Sequence, residues 1–234
     1  KIVISAMILA IAISLKLQPV IFLPVFGWYF WKKRNWQGLK NFIIFLGLTW
    51  FVINLPALHA NLELTINVYT QSFLRPDVLS SGAYGLWTWF SGIDPKFASS
   101  LGTILFVGIM SWLFSKAKVV NLRSALYLAM MLNLTYFLFM TKMHSRYAHL
   151  AAIFSVIVAT TNLGSIGLNI AYLVNQILIF YYIYPAAWYY IFEGVAHEAY
   201  IPYIVSGLYL WSFLILFWKS EEYLGVKSSN LVNF

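Results

Sequence analysis

Long apolar runs, separated by short polar loops, constrain the fold of this chain more than any other feature. Hydrophobic residues make up 62% of the 234 residues and charged residues only 9%, whereas a soluble domain carries roughly 25% charged residues. The runs are long enough for membrane-crossing helices, and they lack the apolar–polar alternation of a membrane β-barrel. The sequence therefore predicts an all-α integral, multi-pass membrane protein with about seven transmembrane helices.

The first of the seven hydrophobic segments is interrupted. Its halves, residues 2–15 and 20–31, flank Lys16-Leu17-Gln18-Pro19, and the prolines at 19 and 24 disfavour a continuous helix. The other six segments are residues 42–58, 97–114, 122–140, 147–161, 166–184 and 203–218. We therefore expect a broken first helix and a single transmembrane domain over residues 1–234.

Lysine and arginine residues in short loops predict the side of the membrane on which each loop lies. Three basic clusters fall on one side when the segments alternate, and we assign that side to the cytoplasm. These clusters are Lys32, Lys33, Arg34 and Lys40; Lys116, Lys118 and Arg123; and Lys219 and Lys227. The loop at about 60–96 and the segments 142–146 and 185–201 are then predicted to lie on the outer side.

The outer loop at about 60–96 is predicted to be structured. Leu62–Phe73 has the pattern of a short amphipathic helix, ended by Arg75-Pro76-Asp77, and Asp94 before Pro95 is typical of a turn or a helix cap. Farther along, residues 185–192 are rich in Trp and Tyr, which favour the membrane–water interface. We expect this stretch to lie flat on the outer surface.

Residues Lys142-Met143-His144-Ser145-Arg146-Tyr147 place cationic groups at the membrane edge, on the side where the charge rule expects few. Arg146 can make a forked contact to a phosphate, Lys142 can act as a compact point charge, and His144 can donate to a phosphate oxygen or move a proton. The alternative is that all three anchor the chain at the lipid headgroups. The first interpretation predicts a site for an anionic lipid phosphate.

Lys16 and Gln18 form a second polar position, between two apolar runs. An ionisable residue inside a membrane-crossing segment is costly and by default indicates a functional site. A broken helix also frees backbone groups that need protein partners or a cavity. We expect Lys16 and Gln18 to line a polar cavity that opens outward, with a snorkelling Lys16 as the alternative.

Other groups that could take part in chemistry are sparse. Tyr84 and Trp87, in a cluster with Trp89 and Phe90, offer flat faces either to a sugar ring or to the membrane interface. The acidic residues predicted on the outer side are isolated, and each alone is interpreted as structural: Glu63, Asp77, Asp94, Glu193 and Glu198, the last two of which bracket His197. No metal-ligand spacing or nucleotide-binding motif is present in the sequence, and the net charge of +8 reflects membrane anchoring rather than nucleic-acid binding.

Three segments resemble motifs of polyprenyl-phosphate-dependent glycosyltransferases of the GT-C class. Lys16-Leu17-Gln18-Pro19, followed by Leu23-Pro24, resembles their Lys-x-Gln-Pro and later Leu-Pro pattern. Residues 79–87 resemble the Ser-x-x-Ala-(Tyr/Phe)-Asn-Leu-Trp segment of the mannosyltransferase-like members, with Gly85 in place of the Asn. Residues 142–147 resemble their Lys-Met-His-Glu-Arg-Tyr motif, with Ser145 in place of the Glu. The resemblance covers about residues 16–151.

The resemblance implies transfer of a sugar, a mannose-like hexose, from a polyprenyl- or dolichyl-phosphate carrier to an acceptor hydroxyl of a glycan, lipid or protein. Transfer would invert the sugar's stereochemistry and take place on the outer or lumenal face of a bacterial plasma membrane or ER membrane. The residues that would hold the donor's phosphate and sugar are Lys16, Gln18, Lys142, His144, Arg146 and Tyr147. The catalytic base would lie before Lys1, so this sequence would be the C-terminal part of a larger GT-C-like membrane domain. A requirement for a divalent metal does not follow from these residues.

Two functions of other classes stay open for the same residues. A carrier or flippase-like protein would use the basic residues and the broken helix to hold a lipid phosphate without chemistry. A non-catalytic membrane subunit would pack on a partner and would tolerate loss of charge at Lys142 and Arg146. An ion channel or pump is disfavoured, because no series of acidic residues runs through the apolar segments.

Overall fold

The computed structural model describes residues 1–73, 79–81, 83–90, 92–159, 161–183 and 200–225. These residues are helical apart from turns and one pair of two-residue strands, which confirms the predicted all-α class. By its internal contacts the chain divides into unit 1, Lys1–Pro76, and unit 2, Asp77–Phe234, and each is described by itself. The prediction of one transmembrane domain over residues 1–234 stays a prediction.

Unit 1 confirms the predicted break in the first hydrophobic segment. Helix α1 ends at Leu15, because Lys16 takes an extended backbone and Pro19 in the following 3₁₀ turn lacks an N–H group. The amphipathic helix predicted after the second segment is present with the predicted bounds. The helices of unit 1 are α1 (Ile2–Leu15), α2 (Leu23–Lys32), α3 (Trp36–Ala60) and α4 (Leu62–Phe73), with the 3₁₀ turn at Gln18–Phe22.

Helices α1 and α3 pack together in unit 1 around a small apolar core. Asn54 on α3 donates to the Ser14 Oγ at 3.1 Å and to the Trp50 carbonyl at 2.8 Å, so a polar group in the apolar layer is satisfied. The buried members of the core are Ala6, Leu9, Ile13, Phe30 and Phe42. Most of the remaining surface of α3 is apolar and exposed, as is normal for a helix in contact with lipid.

Unit 2 begins with a short strand and a 3₁₀ turn and continues as a helical bundle. Its strands are β1 (Ser80–Ser81) and β2 (Met143–His144), and its 3₁₀ turns are Leu86–Phe90 and Ser145–Ala148. Its helices are α5 (Pro95–Lys116), α6 (Leu122–Phe139), α7 (His149–Val158), α8 (Leu163–Ile183), α9 (Ile201–Trp218) and α10 (Ser220–Leu224). The predicted cap is confirmed, since Asp94 accepts the Phe97 N–H at 3.0 Å and starts α5.

Helix α6 lies at the centre of unit 2, and its residues 127–135 are all buried. Helices α5, α7 and α9 contact it, and α8 packs along α9. Gly167 permits that last approach, because a Cβ atom there would lie 2.6 Å from the Ser212 Oγ and 2.7 Å from the Trp211 ring. Small residues at such crossings let helix backbones come close within a membrane, where dispersion contacts provide much of the attraction.

Four helices among the described residues are long and apolar enough to cross a membrane: Trp36–Ala60, Pro95–Lys116, Leu122–Phe139 and Ile201–Trp218. They indicate a membrane protein, and the predicted seven spans are not confirmed. The segment predicted at 147–161 gives α7, which has only 10 residues. At 1.5 Å per residue α7 is about 15 Å long, half the hydrocarbon thickness of about 30 Å. The predicted surface stretch at 185–192, together with Asp77, Glu193, His197 and Glu198, lies outside the described residues.

Candidate functional site

Two of the motif segments recognised in the sequence pair directly in unit 2. Strand β1 runs parallel to β2, with Ser80 opposite Met143 and Ser81 opposite His144. A pair of two-residue strands is not stable by itself, so the surrounding helices must hold it. The structure therefore brings residues 79–90, which we call the aromatic segment, to residues 142–147, which we call the basic segment.

The end of α6 holds the aromatic segment in place. The indole N–H of Trp87 donates to the Phe139 carbonyl at 2.8 Å, which satisfies one of the carbonyls left without an intrahelical partner at the end of α6. Trp87 is only 3% exposed. The ring is packed in the interior, and the predicted sugar platform at Trp87 stays a prediction. Tyr84 is half-buried and keeps that role as a prediction.

Other members of the aromatic segment dock on α9. Trp89 donates its indole N–H to the Ser206 Oγ at 2.8 Å, and Ser206 donates in turn to the Gly85 carbonyl at 2.7 Å. The rings of Trp89 and Tyr203 meet edge to face, with centroids 5.3 Å apart. These contacts are structural, and they leave the outer surfaces of Trp89 and Phe90 as the exposed aromatic area of the segment.

Gly85 stands where the resembling motif carries Asn, and its surroundings explain the departure. A Cβ atom at Gly85 would lie 3.1 Å from the Leu138 carbonyl oxygen and 3.2 Å from that of Phe137. Both neighbours are backbone atoms at the end of α6, and they cannot turn aside as a flexible side chain would. Glycine therefore lets the aromatic segment lie against the end of α6.

The basic segment contains no α-helix. Lys142 has a φ of 63°, in the left-handed region that costs a residue other than glycine about 1–2 kcal/mol. Strain of this kind persists only where the surroundings hold it, and it is frequent at functional sites. After Lys142 the chain is extended through β2 and then forms the 3₁₀ turn that leads into α7.

Side chains in the basic segment alternate between the interior and the open side. Met143 and Ser145 are buried, as is Ala148 in the following turn. Arg146 is exposed, and Lys142, His144 and Tyr147 are half-buried on the other side of the chain. The rings of His144 and Tyr147 meet edge to face with centroids 5.5 Å apart. The four predicted site residues of this segment are thus the ones whose side chains are not buried.

The start of α7 is held alongside α6 and α8, before either of those helices ends. The Ala151 N–H at the start of α7 donates to the Asn133 Oδ1 at 3.0 Å, and His149 Nδ1 is 2.7 Å from the Tyr172 hydroxyl. At 1.5 Å per residue, Asn133 lies about 9 Å before the end of α6 and Tyr172 about 16 Å before the end of α8. Residues 140–148 therefore carry the chain from the end of α6 to the level of Asn133, where α7 begins, and the prediction that the basic segment lies at the membrane edge stays a prediction.

Asn133 and His149 hold the start of α7, and sequence reasoning gave neither of them a role. The first N–H groups of a helix have no intrahelical acceptor, so the Asn133 oxygen caps α7 from a neighbouring helix. The one feature of the sequence that could have indicated this role is the position of Asn133 in the middle of an apolar run. The turn between α7 and α8 brings His149 to Tyr172, and no local sequence pattern predicts this pair.

Replacing Asn133 by Leu is expected to lower the free energy of unfolding by about 1–3 kcal/mol, because the Ala151 N–H would be buried without an acceptor. Amide hydrogen exchange over residues 142–151 should also speed up, since the start of α7 would no longer be held.

Asn169→Leu is the matched control for this change. Asn169 donates to the Ser155 Oγ and to the Ser165 carbonyl, so its loss leaves two acceptors and no backbone donor. We expect a smaller loss of stability and unchanged exchange in the basic segment. Equal exchange in the two variants would contradict the assigned role of Asn133.

The carboxyl groups of unit 2 that belong to the described residues all have structural partners. Asp94 caps α5, Glu221 lies 3.5 Å from the Lys116 Nζ, and Glu222 lies 3.9 Å from the Lys219 Nζ. The last two pairs lie where α5 and α9 end, whereas the basic segment follows the opposite end of α6. Within the described ranges there is also no group of three His, Cys, Asp or Glu residues that could hold a metal ion.

Lys16 and Gln18 belong to unit 1, in the break between α1 and α2. Lys16 is exposed, and its backbone N–H donates to the Ala12 carbonyl at 3.0 Å. Gln18 begins the 3₁₀ turn and is half-buried. The predicted pocket that would join these two residues to the basic segment stays a prediction.

Comparisons with models of protein families, with curated proteins and with solved structures find no match to this chain. A functional assignment therefore depends on the three motifs and on the geometry of the segments that carry them.

Proposed function

We propose that this protein binds a polyprenyl- or dolichyl-phosphate sugar and takes part in transferring the sugar, a mannose-like hexose, to an acceptor hydroxyl on the outer face of the membrane. The proposal is carried by the basic segment, whose cationic and aromatic side chains are not buried and which pairs with the aromatic segment. Both segments also carry the motif resemblance. The two segments lie far apart in the sequence, and neither composition nor hydropathy requires them to pair.

The chemistry of such a donor matches the residues of the basic segment. When the sugar leaves, the bond between its anomeric carbon and the phosphate oxygen breaks, and negative charge grows on the phosphate. Arg146 can hold two phosphate oxygens with its forked donors, and Lys142 adds a second positive charge. Cations fixed where charge develops stabilise the transition state, and they do so more strongly in a site of low dielectric constant.

The position of the basic segment, directly before the apolar helix α7, also suits a lipid carrier. A phosphate can meet the exposed Arg146 while the isoprenoid chain lies against apolar helices. The acceptor oxygen must attack the anomeric carbon from the side opposite to the phosphate if the sugar is to be inverted, and its proton must pass to a base.

The carrier or flippase-like function is the second candidate, and one observation favours it. Each described carboxyl group of unit 2 is engaged in a helix cap or an ion pair. The basic segment can thus bind a phosphate, but none of these carboxyl groups is free to accept a proton. A carrier would bind the same lipid and leave the bond between sugar and phosphate intact.

The test is the fate of polyprenyl-phosphate [14C]mannose in membranes that contain the full protein. Radiolabel that moves to an endogenous acceptor only when the protein is present supports the transferase. Radiolabelled lipid that binds the protein and is recovered unchanged indicates the carrier. Absence of both binding and transfer overturns the proposal.

Lys16→Ala is expected to reduce transfer by about 100-fold or more, because the motif resemblance implies that Lys16 is one of the residues that hold the donor phosphate. Lys16 is exposed and follows the end of α1, so the variant should fold and keep its melting temperature. Lys118→Ala removes the same charge from an exposed loop position of unit 2 and should retain activity. Full activity of Lys16→Ala would exclude Lys16 from the donor site.

A further inference from the structure

The turn between α2 and α3 has a backbone conformation that its sequence does not favour. Arg34 has a φ of 51°, and the turn is closed by hydrogen bonds from the Arg34 N–H to the Trp31 carbonyl at 2.9 Å and from the Asn35 N–H to the Phe30 carbonyl at 3.0 Å. This is the Schellman arrangement, in which glycine is the usual residue at the left-handed position. Arg34 therefore occupies a place where its side chain carries a conformational cost.

The same turn is also held from the side of α3. Asn35 accepts the Gly38 N–H on its Oδ1 at 2.8 Å and so caps the first turn of that helix. The turn itself thus satisfies the carbonyls of Phe30 and Trp31 at the end of α2 and the Gly38 N–H at the start of α3. These hydrogen bonds therefore hold the backbone that carries the Arg34 side chain.

Within unit 1, positive charge is concentrated at this turn without a nearby acid. Lys32, Lys33, Arg34 and Lys40 are all exposed, and the sequence contains no Asp or Glu before Glu63. Glu63 follows the far end of α3, whose 25 residues extend about 38 Å. That distance exceeds the Debye length of about 8–10 Å, so Glu63 does not neutralise the cluster.

Two tryptophans place the turn at the level of the lipid headgroups. Trp31 and Trp36 flank it and are 72% and 62% exposed. Exposed apolar side chains begin at Ile43, about 10 Å farther along α3. Tryptophan favours the membrane–water interface, and the lipid phosphates lie in the same layer. The cationic turn and the hydrocarbon-facing surface are therefore adjacent along one helix.

We propose that the turn at 32–35 is a binding site for the headgroup of an anionic phospholipid. The forked donors of Arg34 hold the phosphodiester, the neighbouring lysines supply further positive charge, and the two tryptophans contact the glycerol region. A glycine would meet the backbone requirement better, so an Arg at this position points to a role for its side chain. The site lies in unit 1 and uses none of the residues of the proposed donor site.

Arg34→Gly tests this site, because it removes the cation and relieves the backbone at the same time. The full protein is placed in nanodiscs of phosphatidylcholine, and binding of added phosphatidylglycerol is followed by native mass spectrometry. We expect the apparent affinity for phosphatidylglycerol to fall about fivefold. The melting temperature in pure phosphatidylcholine should stay equal or rise, since glycine adopts the left-handed region freely.

Lys118→Gly is the matched control, because it removes one charge from an exposed loop residue of unit 2 and should leave the affinity unchanged. Equal affinity of wild type and Arg34→Gly would overturn the proposal, as would an equal fall in the two variants, which would mean that only net charge matters. Displacement of the lipid by glycerol phosphate in solution would assign the site to a soluble phosphate instead and would also overturn it. If Arg34→Gly does not fold, the double variant Lys32→Gln/Lys33→Gln makes the same comparison without changing the backbone of Arg34.

Discussion

Replacing Gly102 by Ala is expected to destabilise unit 2 by about 3 kcal/mol, at the upper end of the cost of overpacking a core. The added Cβ atom would overlap the Phe139 carbonyl oxygen and would lie 3.3 Å from the Trp87 ring. That oxygen is a backbone atom and already accepts the indole N–H of Trp87, so it cannot move without breaking this bond. The loss should appear as a lower melting temperature of the purified protein in detergent.

Gly108→Ala on the same helix is the control for this change. A Cβ atom at Gly108 would have no atom within 4 Å among its neighbours, so the variant should be neutral or gain up to about 1 kcal/mol from the higher helix propensity of alanine. Both variants make the same chemical change in α5, and only the surroundings differ. Equal melting temperatures of the two variants would contradict the close contact between Gly102 and the end of α6.

Replacing Arg146 by Ala is expected to reduce sugar transfer by at least about 100-fold, because the forked donor to the phosphate would be lost. Arg146 is exposed, so its truncation creates no cavity and the melting temperature should not change. Transfer from polyprenyl-phosphate [14C]mannose and binding of the same lipid should be measured together. If the protein is a carrier, Arg146→Ala loses binding in the same way while wild type shows no transfer.

Two further variants make this result specific. Arg146→Lys keeps the charge but not the forked geometry, and we expect it to recover only part of the activity. Lys118→Ala removes a charge beyond the opposite end of α6 and should be fully active. If Arg146→Ala transfers sugar and binds lipid as well as wild type does, the basic segment is not part of the donor site. The membrane subunit would then be the remaining alternative.

Several features were predictable because they depend on short stretches of sequence. The break after Leu15 follows from Lys16 and the proline at 19, and the cap of α5 follows from Asp94 before Pro95. The amphipathic helix Leu62–Phe73 follows from its periodicity. In each case the residues that decide the structure lie within one or two helical turns of the feature.

The number of membrane spans was less predictable, because hydropathy reports the apolar character of a segment and not the point where its helix ends. Residues 147–161 read as a full span, yet α7 begins only at His149 and ends at Val158. Its start is held by Asn133 on α6 and Tyr172 on α8. Neither partner is close in sequence, so a window along the chain cannot detect the shortened helix.

The sequence by itself determined that this is a helical membrane protein with a broken first segment, because composition, prolines and helix caps act locally. Its motifs also named the basic segment as a candidate phosphate site. Only the tertiary structure decided that this segment pairs with residues 80–81 and that Trp87 is buried against the end of α6. The physical reason is that residues 140–144 have no helix of their own and take their position from the pairing with residues 80–81, while α6 and α8 hold the start of the helix that follows.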